Sequence, residues 1–280
     1  MANMLLIKRR ITTAQNVSKT TKALQMISTS KLKRSQEAAL SSREYVNKLT
    51  DLVRGLIPKV GNDRKNLYLI PKSSQNRELF IVISPDKGLC GGLISNLLRT
   101  VYAVDKEKPY YMVIGKKIEK SIAKIGEIIA SFPFGTTLPS FDVVFPIAKI
   151  IDDYYLTGKV SKVSVVFTHF NNVFMQTPTV NTILPIKVES EEKTLIKFCL
   201  FEPDIDRMLP DLLKHYLEMV LYQNILENFA SEQGARMISM KNATDNAEDI
   251  INYLKLDYNK LRQEKITNEI LDISSGLFTQ

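Results

Sequence analysis

Residues 237–261 read MISMKNATDNAEDIINYLKLDYNKL. Met237, Met240, Thr244, Ala247, Ile251, Leu254, Tyr258 and Leu261 recur at alternating three- and four-residue spacing, with charged and amide residues between them. That is the narrow seam of a coiled-coil helix. The spacing slips by one position and resumes at Ile266, Ile270, Ile273 and Leu277. Upstream, Leu209, Leu213, Leu217, Val220, Leu221, Ile225 and Phe229 give a wider apolar face, as for a helix packed on a domain. A seam needs a partner, and the other end of the chain offers one.

The 11 prolines all fall between Pro58 and Pro210, no glycine precedes Gly55, and only Gly234 and Gly276 follow Pro210. Proline lacks an N–H and clashes with the preceding helical turn, so two long helical flanks are expected around a proline-bearing centre. At about 1.5 Å per residue they would reach roughly 80 and 100 Å, too long to lie on a small domain. They are expected to wrap each other as an antiparallel coiled coil. On the N-terminal flank, Ile7, Ile11, Ala14, Val17, Leu24 and Ile27 make one stripe, and Tyr45, Leu49, Leu52 and Leu56 another. The small residues between, such as Ser28, Ser35, Ala39 and Ser42, permit close approach but bury little.

The centre alternates. Strands are expected at 79–84, 110–114, 128–132, 162–168 and 177–184, the last two as a hairpin through Asn171-Asn172, and helices at 91–104, 116–125 and 141–156. Strand–helix alternation implies an α/β layer with a mainly parallel sheet. The expected organisation is an N-terminal coiled-coil helix at 1–57, a connector at 58–76, a central α/β domain at 77–203 and a C-terminal coiled-coil helix at 204–280.

Net charge is +8 over 280 residues. Residues 1–54 carry eleven basic side chains and three acidic ones, so the whole excess lies there. Residues 204–280 carry eight basic and thirteen acidic ones. A basic helix against an acidic one is a complementary pair with a positive surplus. That surplus could follow a nucleic-acid backbone, lie on an anionic membrane, face acidic protein surfaces or simply be solvated. Tyr45 is its only aromatic residue, which weakens single-strand stacking, and a bulky membrane-surface face is missing. A basic segment rich in Ser and Thr also imitates a transit peptide. Cys90 and Cys199 are far apart and support neither a disulfide framework nor a thiolate metal site.

The best catalytic lure is 84–92, SPDKGLCGG. It follows a strand and opens a helix, where backbone N–H groups can hold phosphate. It lacks the Gly-Lys-Ser/Thr ending of a phosphate loop and the dinucleotide G-x-G-x-x-G. Its glycines read as a sharp turn with close helix packing. Cys90 has no His nearby in sequence, His169 and His215 are isolated, and Asp152-Asp153 reads as a helix-end pair.

The flanks carry motifs. Arg10-Ile11, Gln15-Asn16, Lys19 and Thr21-Lys22-Ala23-Leu24-Gln25-Met26, followed by Ser30-Lys31, resemble the N-terminal signature of the γ subunit of F-type ATP synthases. Asp86-Lys87-Gly88-Leu89-Cys90-Gly91-Gly92-Leu93 is similar to that family's central loop. Ala230-Ser231-Glu232-Gln233, Arg236-Met237, Met240-Lys241 and Ala243-Thr244-Asp245-Asn246-Ala247 resemble its C-terminal signature. That likeness continues through Tyr258-Asn259-Lys260, Arg262-Gln263 and Ile266-Thr267. Among the departures, Gly234 stands where Ala is frequent, and Cys90 and Cys199 do not form the close redox pair of the chloroplast type.

The resemblance implies a central rotor shaft that couples proton flow through a membrane c-ring to ATP synthesis on β subunits. It implies no cofactor, nucleotide or catalytic residue in this chain. The implied partners are three α and three β subunits, the ε subunit and the c-ring. Lys8, Lys19, Lys22, Leu24, Glu232, Arg236, Arg262 and Gln263 would meet the α/β ring. Phe201, Glu202, Pro203 and Asp204 would meet the c-ring and ε, and 274–280 would sit in an apolar collar. Because the family motif begins by about Ile7, the basic segment would be mature helix, in a bacterial protein on the cytoplasmic face of the membrane. The alternative is a basic coiled-coil nucleic-acid-binding protein.

Overall fold

A computed structural model describes residues 2–57, 68–69, 77–104, 109–186, 202 and 204–277. Most of the expected connector, together with Cys199, Phe201 and Pro203, the side chains of Ile273 and Leu277, and the tip 274–280 beyond its helical backbone, lies outside what is described. The elements are α1 (Ala2–Leu56), β1 (Glu78–Ile83), α2 (Leu93–Ala103), β2 (Tyr110–Ile114), α3 (Glu119–Ile122), β3 (Glu127–Phe132), α4 (Val144–Tyr155), β4 (Lys162–Phe170), β5 (Gln176–Leu184) and α5 (Ile205–Leu277). Two compact units result, Met1–Ser28 with Arg236–Gln280, and Thr29–Ala235. Both long helices contribute to both units.

Within Thr29–Ala235 the sheet order is β3-β2-β1-β4-β5. The first four strands are parallel and β5 is antiparallel to β4, which is the expected mainly parallel sheet. Every residue of β1 is buried. Leu79, Ile81 and Ile83 face one core with Met112, Ile114, Val163 and Val165, which α4, α5 and the end of α1 close. Phe80 and Val82 face the other with Tyr111, Val113 and Val166, closed by α2 and α3. Burial on both faces explains the unbroken apolar run. Each such side chain contributes about 1.5–3 kcal/mol.

The 116–125 helix shrinks to the single turn of α3, followed by turns that end at Gly126. A Cβ there would come within 2.4 Å of the Tyr111 ring. The hairpin turns where expected, with Asn172 Oδ1 accepting from the Phe174 and Met175 N–H groups.

Helix α5 is buried on all sides from residue 223 to residue 234. Seven of these twelve residues are polar, and each needs a partner there. Asn228 Oδ1 accepts from Thr168 N–H at 3.0 Å, and Ser231 donates to Thr168 O at 2.8 Å. These two side chains serve β4 beyond its last β1 pair, Val82↔Val166.

The two helices run antiparallel. In Thr29–Ala235, Ala39 and Arg43 meet Gln223 and Glu227, whereas Tyr45 meets His215. In the Met1–Ser28 and Arg236–Gln280 unit, the seam of α5 matches expectation through Leu261, with Met240, Thr244, Ala247 and Ile251 buried. The stripe on α1 needs correction. Positions 7, 11, 14, 18, 21, 25 and 28 turn inward, then 32, 35, 39, 42, 46, 49, 53 and 56. Val17, Ile27, Tyr45 and Leu52 are exposed. A strict three–four alternation holds along the helix, even where it selects Ser18, Thr21, Gln25 and Ser28. The Thr21 and Thr244 hydroxyls bond at 2.7 Å, which makes a polar seam position tolerable. Beyond Leu261, the two described residues of the resumed seam, Ile266 and Ile270, are exposed.

Candidate partner-binding surfaces

The positive surplus of α1 is displayed. Lys8, Lys19 and Lys22 are exposed, and Leu24 is half-buried. On α5, Arg236 is half-buried and Arg262 and Gln263 are exposed. Lys8 and Lys265 line an open apolar depression of about 220 Å³ with Met4, Leu5 and Tyr258. Glu232 differs from the rest of this set. It is only 4% exposed and lies in the wholly buried stretch of α5. Glu202 and Asp204 are exposed.

The central-loop motif stands at the C-terminal edge of the parallel sheet. Asp86 is half-buried, Lys87 is exposed and Cys90 is 2% exposed. Gly91 has φ +58°, and Gly92 caps α2. Leu89 has φ +65° and is 64% exposed. Sheets of this kind bind ligands in a crevice beside their strand ends. Just past the strand ends, Ser84 N–H donates to Ile114 O at 2.7 Å and Gly115 N–H to Phe132 O at 2.8 Å, which continue the β1–β2 and β2–β3 pairings.

The isolated histidines are engaged with their surroundings. His169 Nδ1 pairs with Glu227 Oε2. Arg43 donates to Glu227 Oε1 through Nη2 at 2.9 Å and Nε at 3.1 Å, and Gln223 donates to it at 2.8 Å. Glu227 is thus a buried carboxylate that ties α1 and β4 to α5. His215 Nε2 meets the Tyr45 hydroxyl at 2.9 Å. Asp152 accepts from the Tyr68 hydroxyl at 2.8 Å. Among the described residues no group of three or more His, Cys, Asp or Glu could hold a metal ion, and no helix is long and apolar enough to cross a membrane. The Arg43–Glu227–His169 network was invisible to sequence reasoning, since its members lie 58 and 184 positions apart.

The sequence profile described as ATP synthase matches residues 3–278. The ATP synthase gamma chain of Dehalococcoides mccartyi is 37% identical over 281 residues, covering 99% of this chain and 98% of that one. The gamma chain of Psychrobacter cryohalolentis is also 37% identical, with the same coverages. This chain belongs to the ATP synthase gamma chain family. Among solved structures, a chain of the Euglena gracilis mitochondrial ATP synthase (OSCP/F1/c-ring, rotational state 3) superposes with a TM-score of 0.71 at 16% identity, covering 99% of this chain and 94% of that one. A chain of the Tetrahymena thermophila mitochondrial ATP synthase (central stalk/c-ring) gives a TM-score of 0.58 at 20% identity, with coverages of 80% and 98%. Both likenesses bear on the fold, two long paired helices with a mainly parallel sheet.

Proposed function

We propose that this chain is the central shaft of an F-type ATP synthase. Helices α1 and α5 turn inside a ring of three α and three β subunits. Residues around Glu202, Pro203 and Asp204 meet the c-ring, and the ε subunit binds nearby. Proton flow turns the c-ring, the chain turns with it, and the β subunits perform the bond chemistry. The assembly lies on the cytoplasmic face of a bacterial inner membrane, with this chain held there peripherally.

The observation that carries this reading is the full-length match to gamma chains. The surface chemistry supports it. An asymmetric shaft works by interacting differently with each β subunit and thereby shifting its conformational populations. Moving a site from 1:99 to 99:1 takes about 5.5 kcal/mol of differential interaction. Exposed ion pairs contribute about 0–1 kcal/mol each, so no one of Lys8, Lys19, Lys22 or Arg262 suffices. Several must act together, as their spread along both helices permits.

The test is co-purification. A tagged chain is expected to bring α and β subunits with it, and the isolated chain to bind no nucleotide. Steeply salt-dependent binding to DNA, with no α or β chains recovered, would instead establish the nucleic-acid alternative.

A further inference from the structure

One carboxylate joins the three loops that follow β1, β2 and β3. Asp86 Oδ1 accepts from Lys116 N–H at 2.9 Å, and Oδ2 accepts from Gly135 N–H at 2.8 Å. Beside it, Lys117 N–H donates to Pro85 O at 3.3 Å. Gly115, at φ +100°, permits this closeness, since a Cβ there would stand 1.9 Å from Ser84 O. Both carboxylate bonds are charge-assisted, the stronger class of hydrogen bond.

The third loop, residues 133–140, is fastened on its other side to both long helices. Lys31 Nζ on α1 donates to Thr136 O at 2.5 Å. On α5, the Tyr222 hydroxyl donates to Pro139 O at 3.1 Å, and the Phe229 ring lies 5.9 Å from that of Phe134. The loop is a strut between the central-loop motif and the helices.

The motif itself is strained. Left-handed backbone costs a leucine about 1–2 kcal/mol, and the side chain of Leu89 is 64% exposed, so burial does not offset it. Such a conformation persists only where its surroundings over-determine it. Asp86 lies three residues earlier in the same loop and is bonded to two other loops.

We infer that Asp86 is a positioning residue for rotary coupling: it pins the 86–92 loop to the 133–140 strut, and Lys31 pins the strut to α1, so that load on the exposed loop reaches the helix. The inference rests on the rotary reading above. It concerns bonds within the chain and acts through Leu89 and its neighbours.

Two pins in one line predict a specific pattern. In membrane vesicles carrying the assembled synthase, Asp86→Ala and Lys31→Met are each expected to lower proton pumping per ATP hydrolysed by roughly three- to tenfold. The double variant should be no worse than the poorer single one, because either break opens the same line. Independent structural defects would multiply. Asp86→Asn keeps an acceptor for one amide and should recover part of the loss. In the free chain, Asp86→Ala should speed amide exchange at Lys116 and Gly135 by about tenfold, while the β1 amides stay protected. Unchanged coupling in both assembled single variants, or a multiplicative double variant, overturns the inference and leaves the rotary reading intact. Failure of the wild-type chain to assemble with α and β sinks the rotary reading and the coupling role together.

Discussion

Asp152 makes the stability of the fold depend on pH. Burial raises its carboxyl above the ordinary value of 3.8, outweighing the Tyr68 hydrogen bond and the Lys214 charge, which both lower it, while Asp153 adds to the rise. Its protonated form is therefore favoured more in the folded chain than in the unfolded one. The stability this gives is fully present below pH 3.8 and is lost as pH rises through the higher folded value. Asp152→Asn keeps an oxygen for the Tyr68 hydroxyl. It is expected to match the wild type at about pH 4 and to exceed it increasingly toward neutrality. Thermal melts at stepped pH measure this. A gap that stays flat or narrows would show that the attraction to Lys214 outweighs burial. The Tyr68 phenol is itself pushed well above its ordinary value, first by burial and then by its bond to Asp152, so it stays a neutral donor throughout.

Helix α5 shows what an element's own sequence reveals and what it hides. Gly234 lies in the buried stretch of a continuous helix without breaking it. A Cβ added there would stand 3.4 Å from Phe170 Cε2, 3.6 Å from Gln176 Nε2 and 3.8 Å from Leu32 Cδ1, which is ordinary contact. Gly234→Ala is thus expected to stabilise the chain by about 0.5–1 kcal/mol, the helical cost of glycine. A rise in urea midpoint at constant slope is the measurement, and a fall would mean that Phe170 cannot accept the methyl group. The seam of α5 was legible because its positions are mostly apolar. The seam of α1 was not, because Ser18, Thr21, Gln25 and Ser28 carry it by fit and by hydrogen bonds such as Thr21 to Thr244. Hydrophobic spacing instead favoured Val17 and Ile27, which face outward. The strands were readable for the same reason as α5, since β1 is apolar on both faces. The site was only partly so. Displayed charges such as Lys8 and Arg262 follow from the helix pattern, whereas the amide partners of Asp86 lie 30 and 49 positions away. Backbone donors leave no mark in a side-chain sequence.

Across the whole chain, charge and exposure separate residues that hold the fold from residues available to partners. Residues 1–54 carry eleven basic side chains and three acidic ones, whereas 204–280 carry thirteen acidic and eight basic ones. One of these opposite charges is a fixture, the buried Glu227 paired with Arg43. Removing such a carboxylate would strand its partners, so it reports on folding alone. Arg262 and Gln263 are the opposite case, both exposed at the end of the covered seam. In the proposed assembly they hydrogen-bond a loop of a β subunit. Surface changes of this kind usually shift stability by less than about 0.5 kcal/mol, so Arg262→Ala with Gln263→Ala should leave the melting temperature of the free chain nearly unchanged. A hydrogen bond to a charged group contributes about 1.5–3 kcal/mol. Its loss at a coupling contact should lower proton-driven ATP synthesis roughly tenfold or more. The two measurements must be made on the same variant. Normal synthesis removes the pair from the coupling surface, and a parallel loss of synthesis and melting temperature makes their role structural. Lost synthesis with unchanged melting places them where the chain meets its ring.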